Sequence, residues 1–178
     1  MTPKQWQYLV MALLIGSAVI LQAVVAARLP LPGPPLGLAL VVVIGIGLAG
    51  GTTAGAASGF TAGLLLDVMP PAQTTLGISA FVLLMVGALA GRVTDPRGLA
   101  PAQLAGLTGA LAGLVWLISQ GLLWLLGDPV APWSWLLWFV LGTTLIGSAV
   151  IPAVTWSLRR LEPAGRRRRR TKIASAAR

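Results

Sequence analysis

Apolar residues run along this chain in long blocks with little alternation, separated by short stretches rich in proline, glycine and charge. A helix crossing ~30 Å of hydrocarbon at ~1.5 Å per residue needs ~20 mostly apolar residues. The first block, residues 6–28, meets that requirement. It ends at Leu29-Pro30-Leu31-Pro32-Gly33-Pro34-Pro35, where four prolines in six positions remove backbone donors and forbid a continuing helix. The second block, residues 36–66, is too long for one ordinary span and short for two full ones. Gly50-Gly51-Thr52-Thr53 in its middle predicts a tight turn, and hence helices over about 35–50 and 53–67.

Asp67-Val68-Met69-Pro70-Pro71 closes that block, and a helix is predicted over 75–91 before the polar loop Arg92-Val93-Thr94-Asp95-Pro96-Arg97. Helices over 102–126 and 133–158 follow, with Gly127-Asp128-Pro129-Val130-Ala131-Pro132 as the turn between them. The expectation is an all-α, polytopic membrane protein: a six-helix transmembrane bundle over residues 1–162 and a basic cytoplasmic tail over 163–178, expected to be disordered. The first block exceeds the ~7 to 15 apolar residues of a signal peptide and is read as a retained helix.

Composition agrees, because 56% hydrophobic content, 10% charged residues and a mean hydropathy of +0.86 exceed what a water-exposed surface tolerates. The absence of cysteine and histidine excludes disulfides, thiolate chemistry, imidazole proton transfer and the usual zinc sites. No paired carboxylates and no phosphate-cradling loop are present, so the expectation is a protein without enzymatic activity or cofactor.

Charge matters here through position. Of 13 lysines and arginines, Lys4, Arg92, Arg97 and the nine from Arg159 onward fall on one side of a six-helix arrangement, leaving only Arg28 on the other. Cytoplasmic loops collect Lys and Arg, so both ends are expected in the cytoplasm. Five helices would put the 92–97 loop and the tail on opposite sides. Trp6 and Trp156 then map to the inner boundary and Trp124, Trp133 and Trp135 to the outer one, where amphipathic rings prefer to sit. Trp116 and Trp138 fall deeper and are expected to fill a lipid-facing surface.

Gly47, Gly51, Gly55, Gly59 and Gly63 recur every four residues, a spacing that lets helix backbones approach closely in lipid. A four-residue step advances ~40° round a helix axis. On one continuous helix Gly47 and Gly63 would therefore face nearly opposite ways, so the ladder predicts two short close-packed helices joined near Gly51. Gly87 with Gly91, and Gly109 with Gly113, repeat the spacing.

The stretch Gly59-Phe60-Thr61-Ala62-Gly63-Leu64-Leu65-Leu66-Asp67, followed by Leu76-Gly77 and then Gly87 and Gly91, resembles the rod shape-determining protein MreD family over about residues 45–92. The resemblance implies a scaffold subunit of the bacterial cell-wall elongation machinery, multi-pass in the inner (plasma) membrane. Its implied partners are an MreC-like membrane protein, MreB, and RodA with its transpeptidase partner. It also implies a fold similar to the substrate-binding membrane subunits of energy-coupling vitamin transporters, which keeps a small-solute transport subunit as the alternative function. The basic tail lies outside the resemblance.

Asp67 is the candidate functional acid. It sits at a predicted helix carboxyl terminus, where it opposes the macrodipole by a few tenths to ~1 kcal/mol unless something offsets it. It either shapes the turn into Pro70-Pro71 or makes a functional contact, and Arg28, the one basic residue expected on its side, is the first partner to test. Gln22, Ser58, Thr61 and Gln120 are polar groups inside spans, expected to join helices by hydrogen bonds. Arg166, Arg167, Arg168, Arg169, Arg170 and Lys172 form a cluster expected to hold anionic lipid headgroups or to serve only as a topology anchor. No base-reading or aromatic element accompanies these charges, so nucleic acid is not an expected partner.

Overall fold

The computed structural model describes residues 3–28, 36–69, 77–93 and 100–160. Within them lie six α-helices and no strand: α1 (Pro3–Arg28), α2 (Leu38–Gly50), α3 (Thr52–Val68), α4 (Ile78–Ala90), α5 (Pro101–Leu126) and α6 (Ser134–Arg160). Three stretches, Gln5–Val25, Pro101–Leu126 and Ser134–Leu158, are long and apolar enough to cross a membrane. By contrast α2 and α4, each of 13 residues, reach only ~20 Å.

Local chemistry accounts for the ends. Gly51 is the single residue between α2 and α3, and its φ of 87° is a backbone conformation that side-chain-bearing residues rarely adopt. The Gly51 amide donates to the Gly47 carbonyl at 2.8 Å, and its own carbonyl accepts from the Gly55 amide at 2.9 Å. One residue thus closes one helix and opens the next. Pro101 starts α5 in the first turn, where its missing N–H is harmless, and Gln103 Oε1 accepts from the Ala100 amide at 2.9 Å. Gly127, with φ 79°, ends α5.

The core is built around α2, in which every residue from Ala39 to Ala49 is buried. It packs against α1, α3, α4 and α6, while α3 pairs with α4 and α5 with α6. This explains why α2 has no polar face: it has no exposed side to make polar. The helices around it carry the exposed apolar surface, including Leu13, Ile20 and Leu21 on α1, Leu117 on α5, and Leu137, Leu141 and Leu145 on α6.

Candidate functional site

The residues singled out in the sequence meet along the α3–α4 pair. Gly55, Gly59 and Gly63 form one stripe on α3, and each faces the backbone of α4. A β-carbon on Gly55 would strike the carbonyl of Gly87, one on Gly59 the carbonyl of Leu83, and one on Gly63 the backbone at Ser79 and Ala80. A β-carbon on Gly91 would strike the backbone of Gly51 and Thr52. As residue numbers rise on α3 they fall on α4, so the two helices are antiparallel and touch backbone to backbone.

Gly47 lies on α2 and approaches the same Gly87 carbonyl, with 2.9 Å left for an added β-carbon. Gly47, Gly55 and Gly87 therefore form a crossing point of three helices that no side chain could enter. Gly51 belongs to the turn and not to the seam. Gly109 and Gly113 behave differently: they face the side chains of Thr144 and Val140 on α6 and leave 3.0 Å or more. Spacing alone does not tell these two cases apart.

At the far end of the seam the Asp67 carboxylate, 4% exposed, turns away from its own helix and caps α4. Oδ2 accepts from the Gly77 amide at 2.8 Å and from the Ala80 amide at 3.2 Å, and Oδ1 accepts from the Ser79 amide at 3.3 Å. Gly77, at φ 102°, bends the chain so that these amides converge. A carboxylate opposed by its own helix end is thus offset by the positive end of its neighbour. Arg28 is exposed, and among the described residues the carboxylate's partners are these amides and not the Arg28 guanidinium. The expected partner is therefore corrected: burial of a charge demands several aligned donors, and a helix amino terminus supplies them without a second desolvated ion. Pro70 and Pro71, the turn named with Asp67, lie outside the described residues, as does the cluster Arg166–Arg170 with Lys172.

The start of α2 is closed in the same way by other helices. Gln22 Oε1 on α1 accepts from the Ala39 amide at 2.9 Å, and Thr143 Oγ1 on α6 accepts from the Gly37 amide at 3.2 Å. Gln120 Oε1 accepts from the Ala131 amide at 2.7 Å, tying α5 to the following turn. Ser58 and Thr61 make no such link, because their hydroxyls donate to Gly55 and Ala57 of their own helix. Fully buried Thr143 escaped the sequence reading; its only sequence signal was its place inside a span.

Two further openings border these elements. A cleft of about 140 Å³ lies among Gln22, Gly37, Leu66, Ser79, Ser119 and Phe139, beside the capped starts of α2 and α4. A groove of about 280 Å³ runs between α1 and α3. Trp116 does not fill a lipid-facing surface as expected: it is 5% exposed, its ring lies 5.2 Å from that of Trp133, and its buried Nε1 has no hydrogen-bond partner among the described residues. Trp138 is 40% exposed. At the end where α6 finishes, the Arg160 guanidinium lies 3.7 Å from the centre of the exposed Trp156 ring. No protein-family model matches the chain, and no similar protein was found among curated proteins or solved structures.

Proposed function

We propose that the chain is a six-span inner-membrane scaffold with both ends in the cytoplasm, which holds membrane partners of the bacterial cell-wall elongation machinery through the outer face of the α3–α4 pair. The observation that carries the reading is the coincidence of the MreD-like stretch with one rigid structural unit. Gly59, Gly63 and Asp67 are the residues that lock α3 onto α4. That lock leaves Phe60, Leu64 and Leu65 of α3 and Phe81 and Met85 of α4 exposed. Aromatic and Met side chains on a rigid support suit protein contact better than uniform aliphatic cover.

Satisfying every backbone group internally is obligatory in hydrocarbon. The side-chain caps on α2 and α4 meet that requirement where these 13-residue helices begin within the bundle. The twelve-to-one partition of basic residues supports the orientation. An MreC-like protein is the first partner proposed, with MreB, RodA and its transpeptidase partner as further members of the assembly.

The test is affinity purification of the tagged chain in mild detergent. Co-purification of an MreC-like protein that is lost on Phe60→Ala with Phe81→Ala, at unchanged expression, supports the reading; retention by the double variant removes this face from it. A second reading, a small-solute transport subunit, has the cleft beside Gln22, Ser79 and Ser119 in its favour, since solute sites need converging polar groups. A small molecule retained by the purified protein in native mass spectrometry, and lost on Ser119→Leu, would reverse the order.

A further inference from the structure

The cleft beside the starts of α2 and α4 is bordered by all six helices: Gln22 of α1, Leu40 of α2, Leu66 of α3, Ser79 of α4, Ser119 of α5 and Phe139 of α6. It therefore lies within the bundle and not along one face of it. Three polar groups border it without a protein partner. Gln22 uses Oε1 for the Ala39 amide, which leaves its Nε2 amide unpartnered among the described residues, as are the Ser79 and Ser119 hydroxyls. Serines elsewhere in the helices behave differently: Ser17, Ser58, Ser148 and Ser157 each donate to a carbonyl three residues back. A serine in an apolar bundle turns to its own helix when nothing else is in reach. Two serines beside one cleft with that bond unmade point to a ligand in the cleft.

The lining selects the ligand. No charged side chain borders the cleft, so an ion would lose its hydration without a partner. An acyl chain would leave three donors unmet. At about 140 Å³ the cleft falls below the ~300 Å³ at which sites for larger organic ligands begin. Water meets each condition: at ~30 Å³ per molecule roughly four or five fit, and each can bond the hydroxyls, the amide and its neighbours.

The positions of the three groups give such water a task. Among the described residues α1 packs against neither α4 nor α5. Water reaching from Gln22 to Ser79 and Ser119 joins helices that have no direct contact, and a bridging water is nearly as good as a direct hydrogen bond.

We propose that this cleft is a hydration site, holding a cluster of ordered water molecules that bridges α1 to α4 and α5 through Gln22, Ser79 and Ser119. The site is independent of the scaffold role, and a solute of the second reading would have to displace the cluster.

The experiment is X-ray hydroxyl-radical labelling of the full chain in mild detergent, mixed into heavy-oxygen water just before the pulse and read by tandem mass spectrometry. Ordered water that exchanges slowly puts ordinary oxygen on the side chains beside it, whereas bulk solvent puts heavy oxygen there. Ordinary oxygen is expected on Phe139 and Leu83, which border the cleft, and not on Leu48 of α2, which is also buried but does not. Ser79→Ala combined with Ser119→Ala keeps the cleft open while removing two anchors, and is expected to lose the ordinary-oxygen label at unchanged expression.

Phe139 and Leu83 left unlabelled, or labelled with heavy oxygen from the first time point, overturn the proposal and need no substitution. A label unchanged in the double serine variant overturns it too. A lipid or small molecule retained in native mass spectrometry, and lost on Ser119→Leu, assigns the cleft to that occupant and overturns the water cluster.

Discussion

Gly55 and Gly87 exclude side chains from each other: a β-carbon added to either one would strike the carbonyl oxygen of the other. The relationship is reciprocal because two antiparallel helices present bare backbone on both sides. Packing in lipid gains from such proximity through dispersion, since no hydrophobic drive separates helix from acyl chain.

Gly59→Leu should therefore abolish folded protein, not merely partner capture, because Gly59 faces the Leu83 backbone and is closed to any partner. Overpacking ordinarily forfeits ~1 to 3 kcal/mol, and backbone atoms yield less than side chains do. Gly106→Leu is the control, since nothing lies within 4 Å of its added β-carbon. Expression and gel-filtration profile are the measurements; a well-expressed, monodisperse Gly59→Leu protein would refute the seam.

Asp67→Ala should lower the thermal midpoint in detergent by removing the cap on α4, a loss of ~1 to 3 kcal/mol for a buried charge-assisted set of hydrogen bonds. Asp67→Asn should fall between Asp67→Ala and the parent, because it keeps one acceptor oxygen but turns its amino group towards donors. Arg28→Gln should leave the midpoint unchanged. A fall with Arg28→Gln equal to that of Asp67→Ala would restore the ion pair in place of the cap.

Single cysteines in this cysteine-free chain report sidedness directly. Cysteines within residues 29–34, 68–74 and 127–132 should label from outside with an impermeant maleimide, and those within 92–100 only after permeabilisation; buried Asp67 is left in place because it caps α4. External labelling of Gly98→Cys would remove the six-span arrangement.

Replacing Arg166 to Arg170 together with Gln should weaken attachment to anionic vesicles while leaving the thermal midpoint intact. Each charge near such a surface contributes ~1 kcal/mol, screened as salt shortens the Debye length. Binding of a tail peptide is expected to fall steeply between 0.05 and 0.5 M salt (about a threefold change in Debye length). Equal binding to neutral vesicles would leave the cluster as a topology anchor.

Much of the helix plan was legible because it depends on local signals: proline and glycine punctuation, run length, and the drift of Gly47 to Gly63 round a helix. The break at Gly51 follows from that drift alone. What escaped depends on contacts distant in sequence. Thr143 accepts from Gly37 across 106 residues, and no periodicity marks a lone threonine as a cap for another helix. Asp67 looked misplaced when its own helix was the only dipole in view, and only the fold of α3 onto α4 brings the Gly77 amide 2.8 Å from it. Trp116 reads as lipid-facing in the sequence because depth along a span is legible there and the direction a side chain faces is not.

The complete enclosure of α2 has a consequence for how the chain must be made. At 13 residues it is shorter than the ~20 a free-standing span requires, and its opening amides depend on Gln22 from an earlier helix and Thr143 from the last one. It cannot hold a stable position before its neighbours arrive, so its final seating is a late event that waits for α6 to be synthesised. A nascent chain truncated before Ser134 should therefore leave α2 open to proteases and to lipid-soluble photolabels, whereas the finished protein hides it from both.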